Sequence, residues 1–214
     1  MNLRVPAIAR KLVLTTCITT LSACTTSTRP PEAYLRLHHA VPGSAQHFAI
    51  CNLAGCEETV FVTLNQADWA RIDAIFSPRA PDSKEERKRI ARAIALFEQL
   101  VADQAGTGDD QAGPKGMFRN TRQLDCIAET ANTTSYLILL HERGLMQWHA
   151  TRYPQHRGFM SGHLPHNTAV IEDLQTGERY AVDPYFHANG VAPEIVPLPE
   201  WVEGFIPDVI HNHP

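Results

Sequence analysis

Apolar side chains recur at helical spacing in two long stretches of the chain, which a glycine-rich segment separates. The first stretch, residues 83–103, places its apolar residues on one face, and Ser83 with Glu86 three residues later predicts a capping box at its start. Residues 106–116 contain four glycines, a composition that predicts an irregular loop. We therefore expect one long amphipathic helix before this loop.

The second helical stretch, residues 126–143, begins at a cysteine. Asp125 precedes it as a predicted N-cap, and Gly144 lies where a helix C-terminus favours a residue that adopts the left-handed conformation. Because sequence signals mark both ends, Cys126 is predicted to lie in the first turn of this helix.

Shorter segments rich in β-branched and aromatic residues predict strands. The predicted strands cover residues 47–51, 59–64, 145–153, 166–173 and 178–186. The first two are expected to form a hairpin, and the last two are joined by a turn near Gln175 and Thr176. The proline-rich residues that follow are expected to wrap the domain as extended coil.

The N-terminus has the composition of an export signal. Residues 1–11 carry three basic residues and no acid, and the apolar run that follows is shorter than the ~20 residues of a membrane span. This run ends in the sequence LSAC, which resembles the lipobox of bacterial lipoproteins and implies removal of residues 1–23 and a lipid on Cys24. An ordinary cleaved signal with a chance cysteine is the alternative.

The rest of the chain predicts a lipid-anchored protein with a single domain. Residues 24–45 are expected to tether the anchor to a domain of residues 46–214, a length that suits one domain better than two. In resembling lipoproteins, a non-acidic residue after the lipidated cysteine accompanies transfer to the outer membrane. Thr25 follows Cys24 and fits this pattern, which implies an outer-membrane location facing the periplasm. The net charge of −4 gives no reason to expect a nucleic-acid partner.

The five cysteines divide by their surroundings. Cys17 lies within the signal, whereas Cys51 and Cys56 flank a predicted turn and could form a disulfide in an oxidising envelope; two reduced thiols are the alternative. Cys126 remains. Because the free N–H groups and the dipole of a helix N-terminus favour a thiolate, Cys126 is a candidate nucleophile.

A base and a carboxylate follow Cys126 on two neighbouring predicted strands. If paired residues have numbers that sum to about 351, Asp183 lies opposite Thr168 and diagonal to His166, on the same face of the sheet. His166 could then serve as the base and Asp183 could orient it. A shift of one residue in the register would place the two side chains on opposite faces.

Three segments resemble the transglutaminase-like branch of the papain-like superfamily in their order, spacing and setting. They are LDCIAET at 124–130, HNTAVI at 166–171 and YAVDP at 180–184. The resemblance covers roughly residues 85–190 and implies an α+β fold in which a cysteine helix packs on an antiparallel sheet. It also implies that Cys126, His166 and Asp183 act by acyl transfer on an amide or peptide substrate, without a cofactor.

An acyl-transfer site also needs donors for the carbonyl oxygen. Asn120 and Gln123 both precede the cysteine, the papain pattern favours Asn120 by its offset, and the backbone N–H of Cys126 could supply part of the oxyanion hole. Ile127 stands where eukaryotic transglutaminases have an aromatic residue, which disfavours a cross-linking activity.

Two other interpretations use the same residues. Free cysteines are commonly buried without any chemistry, so the chain could be a catalytically inactive binding module of the envelope. Six histidines between residues 141 and 187 could indicate a metal-binding protein, although without an HExxH or CxxC pair no metal ligand is predicted. Trp148 and Trp201 could line an acyl-acceptor cleft, and core packing is the favoured interpretation for each.

Overall fold

The computed structural model describes residues 29–41, 43–113 and 123–208, which fold into helices and antiparallel strands. The helices are α1 (Glu32–Leu37), α2 (Gln66–Ile75), α3 (Ser83–Ala105), α4 (Cys126–Glu142) and α5 (Leu198–Val202). The strands are β1 (Phe48–Cys51), β2 (Thr59–Val62), β3 (His149–Arg157), β4 (His166–Asp173), β5 (Arg179–Val182) and β6 (Ile195–Pro197). β1 and β2 form a hairpin, and β3 to β6 form a four-stranded antiparallel sheet in sequence order. The α+β class is confirmed.

Helix α4 lies at the centre of the fold. It packs against the four-stranded sheet, the β1–β2 hairpin, α1 and α3, and every residue from 128 to 140 is buried. The prediction of a single buried face was too narrow, because a helix enclosed on all sides has no solvent-facing stripe. Its polar side chains find internal partners. Asn132, for example, bonds both the N–H and the C=O of Cys51 at 2.8 and 3.0 Å.

The start of α3 is fastened to the sheet by a buried carboxylate. The N-cap is Asp82, which accepts from the N–H of Glu85 at 2.7 Å, so the predicted capping box of Ser83 and Glu86 is wrong. The Glu86 side chain instead accepts from the backbone N–H groups of residues 147–149 at 2.8–3.0 Å. Burying this carboxylate is tolerated because hydrogen bonds compensate its lost hydration.

Strand β3 begins and ends four residues later than predicted. It is the edge strand of the sheet, and a bulge between Arg152 and Gln155 contains Pro154. Proline lacks the N–H that a ladder needs, so an edge strand with a bulge is the position that accommodates it.

The C-terminal residues do not form the extended coil that was expected. β6 adds a fourth strand to the sheet, with Val182 opposite Ile195, and α5 follows it directly. Pro197 ends an edge strand and Pro199 lies in the first turn of α5, where the missing N–H of a proline is not needed. Trp201 of α5 is fully buried, as the core interpretation expected.

The folded domain begins earlier in the chain than residue 46. Tyr34 and Leu35 of α1 are buried against α4, so the second half of the segment assigned to a tether packs as part of the domain. Residues 1–28, with the expected signal peptide and Cys24, lie outside the described residues. Among the helices that are described, none is long and apolar enough to cross a membrane. Cys51 and Cys56 form the predicted disulfide.

Candidate active site

Cys126 is the first residue of α4, as predicted. The Asp125 side chain caps the helix by accepting from the N–H groups of Ile127 and Ala128 at 3.1 and 3.0 Å. The Cys126 thiol is free and half-buried, and its own N–H has no acceptor within the described part of the chain. The thiol therefore lies beside a backbone donor at the positive end of the helix dipole.

The register of β4 and β5 brings the predicted base and carboxylate together. Ala169 pairs with Val182, which confirms the expected sum of 351, and Thr168 and Asp183 are the next residues of the two segments. His166 Nε2 lies 2.8 Å from Asp183 Oδ2, and the Cys126 side chain lies close enough to His166 to raise the pKa of the imidazole. The three predicted residues thus form one chain of contacts from thiol to imidazole to carboxylate.

The surroundings of His166 favour its protonated form. Burial alone would lower its pKa, but the charge and hydrogen bond of Asp183, together with the contact to Cys126, raise the pKa of His166 to about 9. At neutral pH the ring is therefore an imidazolium. A cation next to a thiol favours the thiolate, which is the nucleophilic form.

Trp201 holds Asp183 and the imidazole ring in place. Its Nε1 donates to Asp183 Oδ2 at 2.7 Å, and its ring stacks on His166 with centroids 5.6 Å apart. The Arg157 guanidinium lies 4.4 Å from the indole centroid and donates to the backbone oxygen of Trp201. The sequence predicted the burial of Trp201 but not this contact, because α5 itself was not predicted.

Asn167 is a second residue of the site that the sequence analysis did not identify. Its Nδ2 donates towards Cys126 Sγ at 3.8 Å, and its Oδ1 lies 3.2 Å from His156 Nδ1. Its position directly after His166 was the available signal. The Asn167 amide and the Cys126 N–H are two donors near the sulfur, an arrangement that suits a developing oxyanion.

The two predicted oxyanion side chains are placed differently. Gln123 is buried, and its amide bonds to the backbone of the preceding loop, with Oε1 2.9 Å from Gln111 N and Nε2 3.0 Å from Asp109 O. Gln123 therefore anchors this loop and does not point an amide at the thiol. Asn120 lies outside the described residues.

Three buried carboxyl groups lie in the core near the start of α4. They belong to Glu98, Asp110 and Glu129. Asp110 accepts from the N–H of Leu124 at 2.7 Å and hydrogen-bonds the side chain of Glu129, one turn after Cys126. Burial raises the pKa of Glu98 to about 8 and that of Asp110 to about 6, and raises the pKa of Glu129 well above its usual range. Glu129 is thus a buried carboxyl group that contacts Asp110 in the core.

The histidines do not gather into a metal centre. Within residues 29–41, 43–113 and 123–208, no group of three or more His, Cys, Asp or Glu side chains is placed to hold a metal ion. His149 contacts Glu86 and His187 contacts Glu194, at 2.9 and 2.6 Å. These two histidines therefore serve separate structural contacts.

A cavity of about 610 Å³ opens beside the thiol. Cys126 and His166 are among its lining residues, and the others come mainly from the segment between β3 and β4, from the turn after β5 and from the residues after α5. Gly204 lies where two of these segments meet, since an added Cβ would come within 2.4 Å of the His163 ring. The thiol and the imidazole are thus accessible to a small molecule.

Comparison with known proteins identifies no relative of this chain. No family model matches it, and neither a curated protein nor a solved structure is significantly similar. The geometry of the site therefore carries the functional argument.

Proposed function

We propose that this protein is a thiol enzyme that cleaves or transfers amide or peptide bonds through a thioester on Cys126. The observation that carries the proposal is the chain of contacts from Cys126 to His166 to Asp183 beside an open cavity. A buried cysteine without chemistry would need neither a charged imidazole nor access to a cavity.

Each group has a defined part in the reaction. The Cys126 thiolate attacks the carbonyl carbon, and the Cys126 N–H and the Asn167 amide stabilise the oxyanion. The His166 imidazolium then donates its proton to the departing amine, which leaves a thioester on the sulfur. Water or a second amine attacks the thioester, and neutral His166 takes the proton. Asp183 orients the ring throughout.

We further propose that the chain is a transglutaminase-like member of the papain-like superfamily. Two features support this assignment, namely the order Cys126, His166, Asp183 and a cysteine helix that packs on an antiparallel sheet. Ile127 after the cysteine favours hydrolysis or transfer to small amines over protein cross-linking.

A lipoprotein of the bacterial outer membrane, anchored at Cys24 and facing the periplasm, is the setting we propose. The lipobox-like sequence before Cys24 supports the anchor. The Cys51–Cys56 disulfide supports an oxidising compartment, because such bonds are rare in the cytosol.

Hydrolysis of p-nitrophenyl acetate by the purified domain tests the proposed chemistry. We expect Cys126→Ala and His166→Ala each to lower the rate by about 10²-fold or more. His47→Ala is the matched control, since His47 is exposed and stacks only on Phe61 at the hairpin. Equal rates for wild type and Cys126→Ala would contradict the proposal and would favour a binding module without catalysis.

A further inference from the structure

The residues described around the cavity beside Cys126 include several apolar side chains. These are Leu164, Pro165, Tyr185, Phe186 and Ile206. No Asp or Glu lines the cavity in the described part of the chain, and its wall contains the cations of Arg157 and His166 beside the proposed thiolate of Cys126. Burial and the nearby charge on Cys126 raise the pKa of Tyr185 to about 12, so its hydroxyl stays neutral. Such a cavity suits a bulky apolar group and disfavours a cation.

The cavity extends from the imidazole side of the thiol. Leu164 and Pro165 directly precede His166 in the chain. The rings of Tyr185 and Phe186 lie beside the imidazole, with centroid distances of 4.8 and 5.2 Å. In acyl transfer the imidazole exchanges a proton with the amine nitrogen, so the amine portion of the substrate lies against this wall.

One of the two proposed oxyanion donors, the Asn167 amide, lies outside the lining of the cavity. This amide contacts Cys126 Sγ. Adjacent residues of a strand point to opposite faces, and this separates Asn167 from His166. The carbonyl oxygen and the amine portion of a bound substrate are therefore directed apart.

We propose that this cavity binds the amine portion of the substrate, either the leaving amine or an acceptor amine, and selects one that carries a bulky apolar group over one that carries a cation. The inference rests on the proposed acyl-transfer function and deepens it by assigning the class of amine. It also distinguishes this site from one that would accept the charged side chain of lysine.

The transfer step balances with the groups present. The neutral amine nitrogen bonds to the thioester carbonyl carbon, and the bond from that carbon to Cys126 Sγ breaks. The proton of the amine passes to His166, which restores the pair of thiolate and imidazolium. The product is an amide, and no oxidant or further reactant is needed.

Partition of the acetyl-enzyme between water and added amines tests this assignment. The enzyme is acylated with p-nitrophenyl acetate, and phenylalaninamide, glycinamide or lysinamide is added as acceptor. Burial of a benzyl group predicts that phenylalaninamide is acetylated about tenfold or more faster than glycinamide. Lysinamide is expected to be no better than glycinamide. Equal rates for all three amines would overturn the assignment of the amine to this cavity.

Variants of the cavity wall test whether its side chains cause the preference among the three amines. Leu164 is 78% exposed and Ile206 is 44% exposed, so Leu164→Asp and Ile206→Asp place a carboxylate at the wall without breaking the core. Both are expected to reduce the preference for phenylalaninamide to within about threefold, and to favour lysinamide. Leu174→Asp is the matched control, because Leu174 is 54% exposed on the β4–β5 turn away from the cavity. An unchanged preference in both cavity variants would overturn the proposal.

Binding to the Cys126→Ala protein separates this inference from the proposed function. Methyl NMR signals of Leu164 and Ile206 should shift and saturate with phenylalaninamide, and should respond weakly to lysinamide. Selective binding without any acetyl-enzyme in the wild type would refute the acyl-transfer function and leave the apolar selectivity of the cavity standing. Equal or absent responses to the two amines would refute the selectivity, whether or not the enzyme is acylated.

Discussion

Replacing Asp183 with asparagine isolates the effect of its negative charge on His166. The side chain keeps its size, and its oxygen can still accept from Trp201 Nε1, which lies 2.7 Å from Asp183 Oδ2 in the native protein. The attraction that raises the pKa of His166 is removed, whereas the burial that lowers it remains. We therefore expect His166 in the variant to titrate at or below its ordinary value.

The size of this effect follows from the structure. The pKa of His166 rises from 6.5 to about 9, and at about 1.36 kcal/mol per pKa unit the shift corresponds to about 3 kcal/mol. Because the folded pKa is raised, this contribution to stability is complete below pH 6.5 and is lost as the pH rises to about 9. The destabilisation caused by Asp183→Asn should therefore be largest near pH 6 and should shrink by pH 9.5.

Two assays check this prediction. NMR titration of the His166 ring nitrogens should show that the pKa falls from about 9 in the wild type to 6.5 or below in the variant. Urea denaturation at pH 6 and pH 9.5 should show the pH-dependent loss of stability. Asp103→Asn, at an exposed position of α3, is the matched control. If His166 titrates at the same pH in wild type and Asp183→Asn, the reasoning about this contact is refuted.

Three further predictions concern the support of the site. Because the pKa of Glu98 is raised from 4.5 to about 8, the stability of the protein should fall as the pH rises across that interval. The urea midpoints at pH 5 and pH 8.5 should therefore differ less in Glu98→Gln than in the wild type. An equal difference in both proteins would contradict this expectation. Trp201→Phe keeps a ring beside His166 but removes the hydrogen-bond donor to Asp183, so it should lower the free energy of unfolding in urea by about 1–3 kcal/mol. A decrease below about 0.5 kcal/mol, which is typical of surface substitutions, would argue against this hydrogen bond. The double variant Cys51→Ser, Cys56→Ser opens a short loop and should cost about 2 kcal/mol, whereas a protein of unchanged melting temperature would show that the disulfide contributes nothing.

The parts of the site that local signals encode were predictable from the sequence. Asp125 marks the start of α4, so the position of Cys126 at a helix N-terminus follows from the residues around it. The alternation of β4 and β5 and the short turn between them fixed their register, and with it the contact of His166 and Asp183. A capping box of Asn65 and Asp68 marks the start of α2. This signal was also available in the sequence, but α2 was not predicted.

Other parts depend on packing that the sequence does not reveal. Prolines disfavoured any regular structure after β5, yet β6 pairs as an edge strand and α5 follows, which brings Trp201 to Asp183. Glu86 matched a capping box by spacing, but the approach of β3 offered it three backbone N–H groups. Contacts between distant segments decided both cases. The resemblance to a transglutaminase-like fold stays a prediction.

Detection of the acyl-enzyme itself tests whether Cys126 is the nucleophile that forms the thioester. Wild-type protein is mixed with p-nitrophenyl acetate and quenched in acid at increasing times, and intact mass and fragment spectra are recorded. If Cys126 is the nucleophile and His166 its base, one acetyl group forms on Cys126 and then decays, and it forms more slowly in His166→Ala. An acetyl group that never appears on Cys126, while p-nitrophenol is still released, would contradict the account.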